Sequence, residues 1–298
     1  MINFRRIRLQ KSRKIPVSFQ TGTSLSKSLH LSRFSNRVCM LSINQSKFIR
    51  SLAVKKYRQQ HKRFVVEGEK MVAELLMQSG IEVDAVFGTE KWIDTHKDLN
   101  KAHSDKLNLV STAELGKISN LNTPNEVLAV AVIPEAEPDC HWPAVDICLY
   151  LDGIQDPGNL GTILRLADWF GIPAVYCAPN TVDIFNAKVI QASMGAIFRV
   201  RSWEISLQNL LTDHPELPVM GAFMDGENVF DSALPSNGVL VIGNEGAGIS
   251  IEHEKMLNRK LSIPRHPNGG AESLNAAMAA GILIAQFNGS RQTGSMRR

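Results

Sequence analysis

The sequence predicts an α/β protein in which a mostly parallel sheet, with helices on both faces, is preceded by a smaller α/β domain. Short apolar segments recur through the C-terminal half with helical segments between several of them, which is typical of parallel sheets. Pro134–Pro143, with three prolines and three acidic residues, is typical of a linker. We therefore expect a small domain over residues 40–133, a linker over 134–145 and a larger domain over 146–298.

Residues 1–39 form a basic extension without hydrophobic periodicity, which we expect to be disordered. Residues 1–66 hold 16 of the 33 Lys and Arg residues and no Asp or Glu, whereas the rest of the chain is acidic. Such an extension is typical of a mitochondrial presequence or of an RNA-binding arm. A third interpretation, favoured because the globular pattern begins right after Met40, is a start codon placed too far upstream. We expect a cytoplasmic protein unless the extension is a presequence.

The small domain is predicted from alternating helical and strand patterns. A basic helix is expected over Ser46–Gln60 and an amphipathic helix over Glu69–Gln78. Its predicted strands are Phe64–Gly68, Val83–Phe87, Leu107–Val110 and Val127–Ile133.

The larger domain is predicted from five apolar strands and two clear helices. The strands are Ile147–Leu151, Ala174–Cys177, Val219–Phe223, Val239–Gly243 and Lys260–Ile263. A helix over Leu160–Phe170 follows the first strand, and a buried Ala-rich helix over Ala276–Phe287 follows the last.

Composition argues against several classes of protein. No apolar run reaches the roughly 18 to 20 residues of a membrane span, so we expect no membrane partner. The four cysteines show no CxxC pairing and, with the eight scattered histidines, no ligand spacing. We therefore expect free thiols and no metal.

Three loops follow strands of the larger domain, at the sheet edge where open α/β sheets bind ligands. The first, Asp152–Asn159, is rich in Gly, Pro and Asn and leads into a helix that carries Arg165 on its second turn. We expect Asn159 to cap this helix. Taken alone, the loop favours a plain βα turn with an Asn cap and an exposed arginine over a functional site.

The second loop, Gly243–Gly248, holds three glycines that would let a ligand approach the backbone closely. Its order is GxxGxG, with no acid 20 residues later and no Gly-Lys-Ser/Thr, so it is neither a dinucleotide fingerprint nor a P-loop. The pattern predicts a nucleotide-like ligand site of another type, with a plain glycine turn as the alternative.

The third loop runs from Ile263-Pro264 to Ser273-Leu274-Asn275, which opens the Ala-rich helix. We expect Ser273 to cap that helix and its small residues to admit another backbone very closely, although an ordinary tight helix pair is the alternative. Three special loops at one edge, in order, are stronger evidence for a site than any one loop.

In this order and spacing, the three segments resemble the motifs of the SpoU (TrmH) family of RNA 2′-O-ribose methyltransferases, in the SPOUT superfamily. The first motif is Asn159–Arg165, the second Ile242–Gly248, and the third Ile263-Pro264 with Ser273–Asn275. Phe64–Lys70 resembles the substrate-binding domain of many members. The resemblance covers about residues 42–290.

The resemblance implies S-adenosylmethionine held in a deep trefoil knot, a homodimer, and a ribose 2′-hydroxyl of RNA as the methyl acceptor. It also implies an L30e-like front domain, which favours 23S-type ribosomal RNA over transfer RNA. By resemblance, the cofactor-binding residues are Ile242, Gly243, Asn244, Gly248, Ile263, Pro264, Ser273 and Leu274.

The resemblance further implies a catalytic set of Arg165, Asn159, Glu245, Ser273 and Asn275. Because a guanidinium group does not readily accept a proton, we expect Arg165 to clamp an RNA phosphate and stabilise the developing alkoxide. Glu245 would orient Arg165 or assist proton removal. Asn159, Asn275 and Ser273 would fix loops or contact the hydroxyl.

Basic side chains predict where RNA binds, with a solvated helix face as the alternative. The candidates are Lys47, Arg50, Lys55, Lys56, Arg58 and Arg63 around the first helix, and Arg199 in the larger domain. The main rival function is a non-catalytic RNA-binding or ribosome-assembly protein on the same fold, against which the complete catalytic set argues. A nucleotide-dependent oxidoreductase is disfavoured because GxGxxG and its acidic partner are missing.

Overall fold

Two sheets and their helices make up the described part of the chain, residues 41–77 and 80–295 of a computed structural model. The described residues all lie within one compact unit, Val38–Arg298. The predicted basic extension over residues 1–39 lies outside the described residues.

The first sheet has four strands in the order β1-β4-β2-β3, with β4 antiparallel to both neighbours and β2 parallel to β3. The strands are β1 Arg63–Glu67, β2 Val83–Gly88, β3 Leu107–Leu109 and β4 Val127–Val132. The helices are α1 Ile43–Ser51, α2 Lys55–His61, α3 Glu69–Met77, α4 Glu90–Thr95, α5 Lys97–Ala102 and α6 Thr112–Ile118.

The prediction of one helix over Ser46–Gln60 is wrong, because the chain turns between α1 and α2. Ser42 and Gln45 form a capping box that starts α1. The turn is stabilised by Arg58, whose Nη1 donates to the carbonyl oxygens of Leu52 (2.7 Å) and Ala53 (2.8 Å). A basic run of helical composition therefore becomes two short helices.

The second sheet has six strands, all parallel, in the order β10-β8-β9-β5-β6-β7. The strands are β5 Ile147–Asp152, β6 Ala174–Cys177, β7 Arg201–Glu204, β8 Val219–Asn228, β9 Gly238–Gly243 and β10 Arg259–Ser262. The helices are α7 Trp142–Val145, α8 Pro157–Phe170, α9 Ala187–Ser193, α10 Leu207–Leu210, α11 Ile251–Glu254 and α12 Ala276–Ser295. The predicted parallel sheet is confirmed, while the partly exposed edge strand β7 was not predicted.

Helices cover both faces of this sheet, as predicted. Every residue of β5 is buried: Leu149 and Leu151 pack into the core with α8 and α12, while Cys148 and Tyr150 pack into the core with α10. A strand that is apolar on both faces is typical of the centre of a parallel sheet. The trefoil knot implied by the resemblance stays a prediction.

The strand order places a crevice between the ends of β5 and β9. The chain builds β5, β6 and β7 outward to one edge and then returns to β8 on the other side, so β9 pairs directly with β5. Asp152 at the end of β5 lies beside Gly243 at the end of β9. Ligands of open α/β sheets bind at such a reversal of strand order.

Candidate active site at the ends of β5 and β9

The side chain of Asn159 is available to the candidate site because Asp156, and not Asn159, caps α8. Asp156 is the N-cap, and its Oδ1 accepts from the backbone N–H of Asn159 at 2.8 Å, with Pro157 as the first helical residue. The prediction that Asn159 caps the helix is therefore wrong. Its side chain, one turn into α8, points instead to the other two loops.

A chain of hydrogen bonds through Asn159 joins all three predicted motifs. Asn159 Nδ2 donates to Glu245 Oε1 in the second loop. Asn275 Nδ2, in the third loop, donates to Asn159 Oδ1 at 2.9 Å. Three residues separated widely in sequence thus form one polar constellation at the crevice.

Asn275 also caps α12, which corrects the prediction that Ser273 does so. Asn275 Oδ1 accepts from the backbone N–H groups of Ala277 (3.0 Å) and Met278 (3.2 Å). Ser273 is exposed, and its hydroxyl makes no hydrogen bond within the described ranges 41–77 and 80–295. The structure therefore does not bring Ser273 into the constellation.

The second loop is held closed by its own backbone and by Asn244. Asn244 and Gly248 exchange two backbone hydrogen bonds of 3.0 and 2.9 Å, and a Cβ on Gly243 would lie 2.4 Å from the Gly248 carbonyl carbon. Asn244 Oδ1 accepts from the N–H groups of Gly246 and Ala247, while its Nδ2 donates to Gly153 O at 2.9 Å. Asn244 therefore shapes the loop and ties it to the first loop.

The second loop leaves backbone open to a ligand. A Cβ on Gly246 would have no heavy-atom neighbour closer than 3.6 Å, and one on Gly248 would have none within 4 Å. The φ of +71° at Gly248 accounts for the need for glycine at that position. Gly246 has no positive φ, so backbone conformation does not account for glycine there. Glycine at position 246 suits close approach of a ligand to the main chain.

Apolar surface lies next to this loop in the chain and on the third loop. Ile242 is buried at the end of β9, Ile263 is half-buried after β10, and Pro264 and Leu274 are exposed, Leu274 by 46%. Residues of this kind can cover the flat face of a heteroaromatic ring. With the bare glycine backbone, they suit a nucleoside-containing ligand.

Arg165 lies on the exposed side of α8, outside the constellation. It follows Asn159 by six residues, which corresponds to a rise of about 9 Å along a helix. Among the residues that the structure describes, its guanidinium has no ion pair and no hydrogen bond. An exposed, unpaired guanidinium is free to bind a phosphate.

Sequence reasoning missed a second clamp on the glycine loop, formed by Asp152. Its carboxylate, 2% exposed, accepts from Ser250 N–H at 2.7 Å and lies 2.8 Å from His253 Nδ1. The ring of His253 packs edge-on against Tyr150, the pKa of which is raised by burial. The signal in the sequence that could have indicated this clamp was Asp152 itself, an acidic residue at the end of an otherwise apolar strand.

The candidate RNA-binding residues separate into free and occupied groups. Lys47, Arg50 and Lys56 are exposed and have no ion pair in the described part of the chain. Lys55 pairs with Glu204 and Arg63 pairs with Asp84.

Two candidates are corrected by their surroundings. Arg58 is 2% exposed and bound to Asp183, so it is not accessible to RNA. Arg199 pairs with Glu74 of α3 and with Asp168 of α8, which leaves its guanidinium already neutralised.

No membrane span or metal cluster is seen in residues 41–77 and 80–295. None of the helices there is long and apolar enough to cross a membrane. No group of three or more His, Cys, Asp or Glu side chains there is arranged to hold a metal ion.

Comparison with solved structures defines the class of fold. A putative RNA methyltransferase of the TrmH family from Porphyromonas gingivalis matches with a TM-score of 0.72 and 38% identity, over 84% of this chain and 98% of that one. The SpoU methyltransferase AviRb from Streptomyces viridochromogenes, solved in complex with AdoMet, matches with a TM-score of 0.73 and 23% identity, over 84% and 98%. The fold is thus that of SpoU and TrmH methyltransferases.

Comparison of sequences defines the family. Residues 146–285 match the SpoU rRNA methylase family, and residues 44–129 match an MRM3-like substrate binding domain. The 23S rRNA (guanosine(2553)-2′-O)-methyltransferase RlmP of Bacillus subtilis is 31% identical over 246 residues, which cover 80% of this chain and 94% of that protein. The chain belongs to the SpoU rRNA methylase family.

Proposed function

We propose that this protein transfers a methyl group from S-adenosylmethionine to a ribose 2′-hydroxyl of ribosomal RNA. The observation that carries the proposal is the constellation Glu245–Asn159–Asn275, which joins the three motif segments beside a glycine loop with bare backbone. The similarity to RlmP, a 23S rRNA 2′-O-methyltransferase, supports the same reaction class here. Ribosomal RNA is therefore favoured over transfer RNA.

The second and third loops fit the cofactor. When bound, S-adenosylmethionine supplies an electrophilic methyl group on a sulfonium. The open backbone at Gly246 suits close contact with its polar parts, and the apolar side chains of Ile263 and Leu274 suit its adenine. The clamps made by Asn244 and Asp152 keep the loop in shape before the ligand arrives.

Arg165 serves on the acceptor side. As the ribose hydroxyl loses its proton, negative charge develops on its oxygen, and a nearby guanidinium stabilises that charge until the oxygen bonds to the methyl carbon and the neutral sulfide leaves. The same side chain can bind the adjacent RNA phosphate through two parallel N–H donors, which aligns the hydroxyl for in-line attack. Its lack of any partner in the described residues is consistent with both roles.

The constellation suggests a division of roles for the remaining polar residues. Asn275 is committed to the α12 cap and to Asn159, so both asparagines mainly fix the loops. Glu245 is half-buried and has a second carboxylate oxygen with no hydrogen bond among the described residues. That oxygen is available to accept the proton of the ribose hydroxyl.

Homodimer formation is part of the proposal and rests on an apolar surface of α8 and α12. The two helices pack together, with Leu166 against Gly281. Their outer surface leaves Trp169 83% exposed and Met278 61% exposed. Large apolar side chains exposed on a contiguous helix pair suit association with a second copy.

RNA binding is assigned to the exposed cations of α1 and α2, namely Lys47, Arg50 and Lys56. The match of residues 44–129 to a substrate binding domain supports this assignment. The cytoplasmic location and the role of residues 1–39 stay predictions.

Calorimetry with S-adenosylmethionine, followed by transfer of a labelled methyl group to 23S rRNA, tests the proposed function. We expect saturable binding and a 2′-O-methyl group at a single mapped nucleotide. Gly246→Val provides a matched variant, because its Cβ would have no heavy-atom neighbour closer than 3.6 Å and its side chain would occupy space open to the ligand; it should weaken cofactor binding at least tenfold. RNA binding without cofactor binding would instead identify the non-catalytic rival.

A further inference from the structure

The two faces of α2 have different surroundings. Lys56 on the outer face is exposed, whereas Arg58 on the inner face is 2% exposed and donates from all three guanidinium nitrogens. Arg58 Nε and Nη2 both donate to Asp183 Oδ2, at 2.8 and 2.5 Å, and Nη1 donates to two carbonyl oxygens at the end of α1. The side chain of Arg58 thus links α2 to the larger domain. Helix α2 is one of the two helices of the small domain to which RNA binding is assigned.

Asp183 belongs to the loop after β6, which supports the first motif loop. Gly153 N–H donates to Thr181 Oγ1 at 3.2 Å, and that hydroxyl donates to Leu151 O at 2.9 Å. Val182 N–H donates to Ile154 O at 2.9 Å. The loop after β6, which binds Arg58 through Asp183, therefore also stabilises the backbone that precedes Asp156 and Asn159 in the first loop.

Two further contacts make the same connection. The rings of Phe64 in β1 and Phe185 in the loop after β6 pack at a tilt, with centroids 4.8 Å apart. Gln191 of α9 donates to the carbonyl oxygen of Glu67 at 2.7 Å.

Helix α9 passes the connection on to α8. A Cβ on Gly161 of α8 would lie 2.5 Å from Ala192 Cβ, so α9 packs directly against the backbone of α8 at this glycine. A displacement of the small domain would thus be transmitted to α8, the helix that carries Asn159 and Arg165.

We propose that Arg58 and Asp183 are a positioning pair, which holds the RNA-binding helix α2 at a fixed distance from the acceptor side of the active site. Arg58 touches neither RNA nor cofactor; it acts through the β6 loop and the first motif loop. A planar guanidinium fixes orientation as well as distance, which a lysine in the same place cannot do. The inference rests on the proposed function for its catalytic consequence, but not for the mechanical coupling.

The test uses the full chain with Arg58→Lys and Asp183→Asn, each assayed on a ribosomal RNA fragment with labelled S-adenosylmethionine. Because small errors in alignment strongly reduce the rate, we expect kcat to fall roughly 10- to 100-fold in each variant. The double variant should lose no more than the worse single variant, since the two residues act as one unit. The calorimetric Kd for S-adenosylmethionine should stay within about twofold, because the glycine loop does not contact the pair.

Asp94→Asn is the matched control, since it removes a carboxylate that pairs with Lys97 on the exposed surface of the same domain. It should behave as the wild type. Unchanged kcat in both Arg58→Lys and Asp183→Asn would overturn the inference. So would a loss of cofactor affinity equal to the loss of kcat, since this would indicate general damage to the fold.

Amide hydrogen exchange separates this inference from the proposed function. In the absence of RNA, Arg58→Lys should speed exchange at Val182 and Gly153 about tenfold or more, while Gly248 in the second loop keeps its rate. Unchanged exchange at Val182 would overturn the coupling even in an active enzyme. If the wild type methylates no RNA, the proposed function fails, and the exchange result still decides the coupling.

Discussion

The outer surface of α8 and the contact between α2 and the β6 loop each contain an arginine that its sequence context assigned to RNA. Arg165 on α8 is exposed and has no partner in the described residues. Arg58 on α2 is buried, with four hydrogen bonds to Asp183 and to the end of α1. Arginine is thus available to a ligand in the first region, whereas in the second its guanidinium is engaged in contacts that stabilise the fold.

The difference lies in the partner that folding brings to each arginine. Asp183 is 125 residues from Arg58 in sequence, and no local pattern indicates their contact. A buried guanidinium needs a carboxylate and further acceptors to offset its lost hydration, and the structure supplies all of them. An exposed guanidinium needs none, so it stays available to a phosphate.

The largest effect in this comparison is expected from Arg58→Met, which should lower the stability of the fold. It removes the donors from Asp183 Oδ2 and from two carbonyl oxygens, while Asp183 Oδ1 keeps the N–H of Phe185. The free energy of unfolding should fall by about 3–5 kcal/mol, as for other broken buried pairs. Urea unfolding monitored by circular dichroism measures it, with Arg165→Ala as the control, which should change stability by less than about 0.5 kcal/mol.

Arg165→Ala is expected to act on catalysis and RNA binding and not on the stability of the fold. Removing a group that stabilises the developing alkoxide should lower kcat roughly 10²- to 10³-fold. Single-turnover methylation of ribosomal RNA measures this, and Lys101→Ala, which removes an exposed cation of α5, should leave the rate unchanged. Wild-type rates in Arg165→Ala would remove this residue from the catalytic set.

Asn159→Asp tests the constellation that joins the three motifs. The new carboxylate would face Glu245 and lose the hydrogen bond, so kcat should fall about tenfold or more. Adding Glu245→Gln lets an amide donate to the carboxylate introduced at position 159 and should restore the hydrogen bond between the first and second loops. If kcat also returns, Glu245 only orients the loops; if kcat stays low, its carboxylate takes part in proton removal.

The smallest effect is expected from Lys56→Gln on the outer face of α2. Loss of one phosphate contact should weaken RNA binding a few-fold and reduce the slope of log K against log salt by about 0.7–0.9. Titration of a fluorescent RNA at several salt concentrations measures this. An unchanged slope would assign Lys56 to a solvated helix face.

Local patterns predicted most of the fold, and they failed where long-range contacts decide. Buried apolar strands such as β5 are visible in the sequence, and glycine loops at their ends indicate a site. The caps of α8 and α12 were misplaced because Asp156, Asn159, Ser273 and Asn275 are all good N-cap residues, and only the packed structure selects Asp156 and Asn275. Edge strand β7 was missed because its exposed charged ends, Arg201 and Glu204, mask a strand pattern.

The hydrogen bond between Asn275 and Asn159 bridges 116 residues and has a consequence for biosynthesis. The ribosome adds Asn159 long before Asn275 and the helix that it caps. A chain released before Asn275 therefore keeps the hydrogen bond between Asn159 and Glu245 but lacks the residue that joins the third loop to Asn159. Termination before Asn275 should thus yield an inactive protein, so that methylation reports translation at least as far as the third loop.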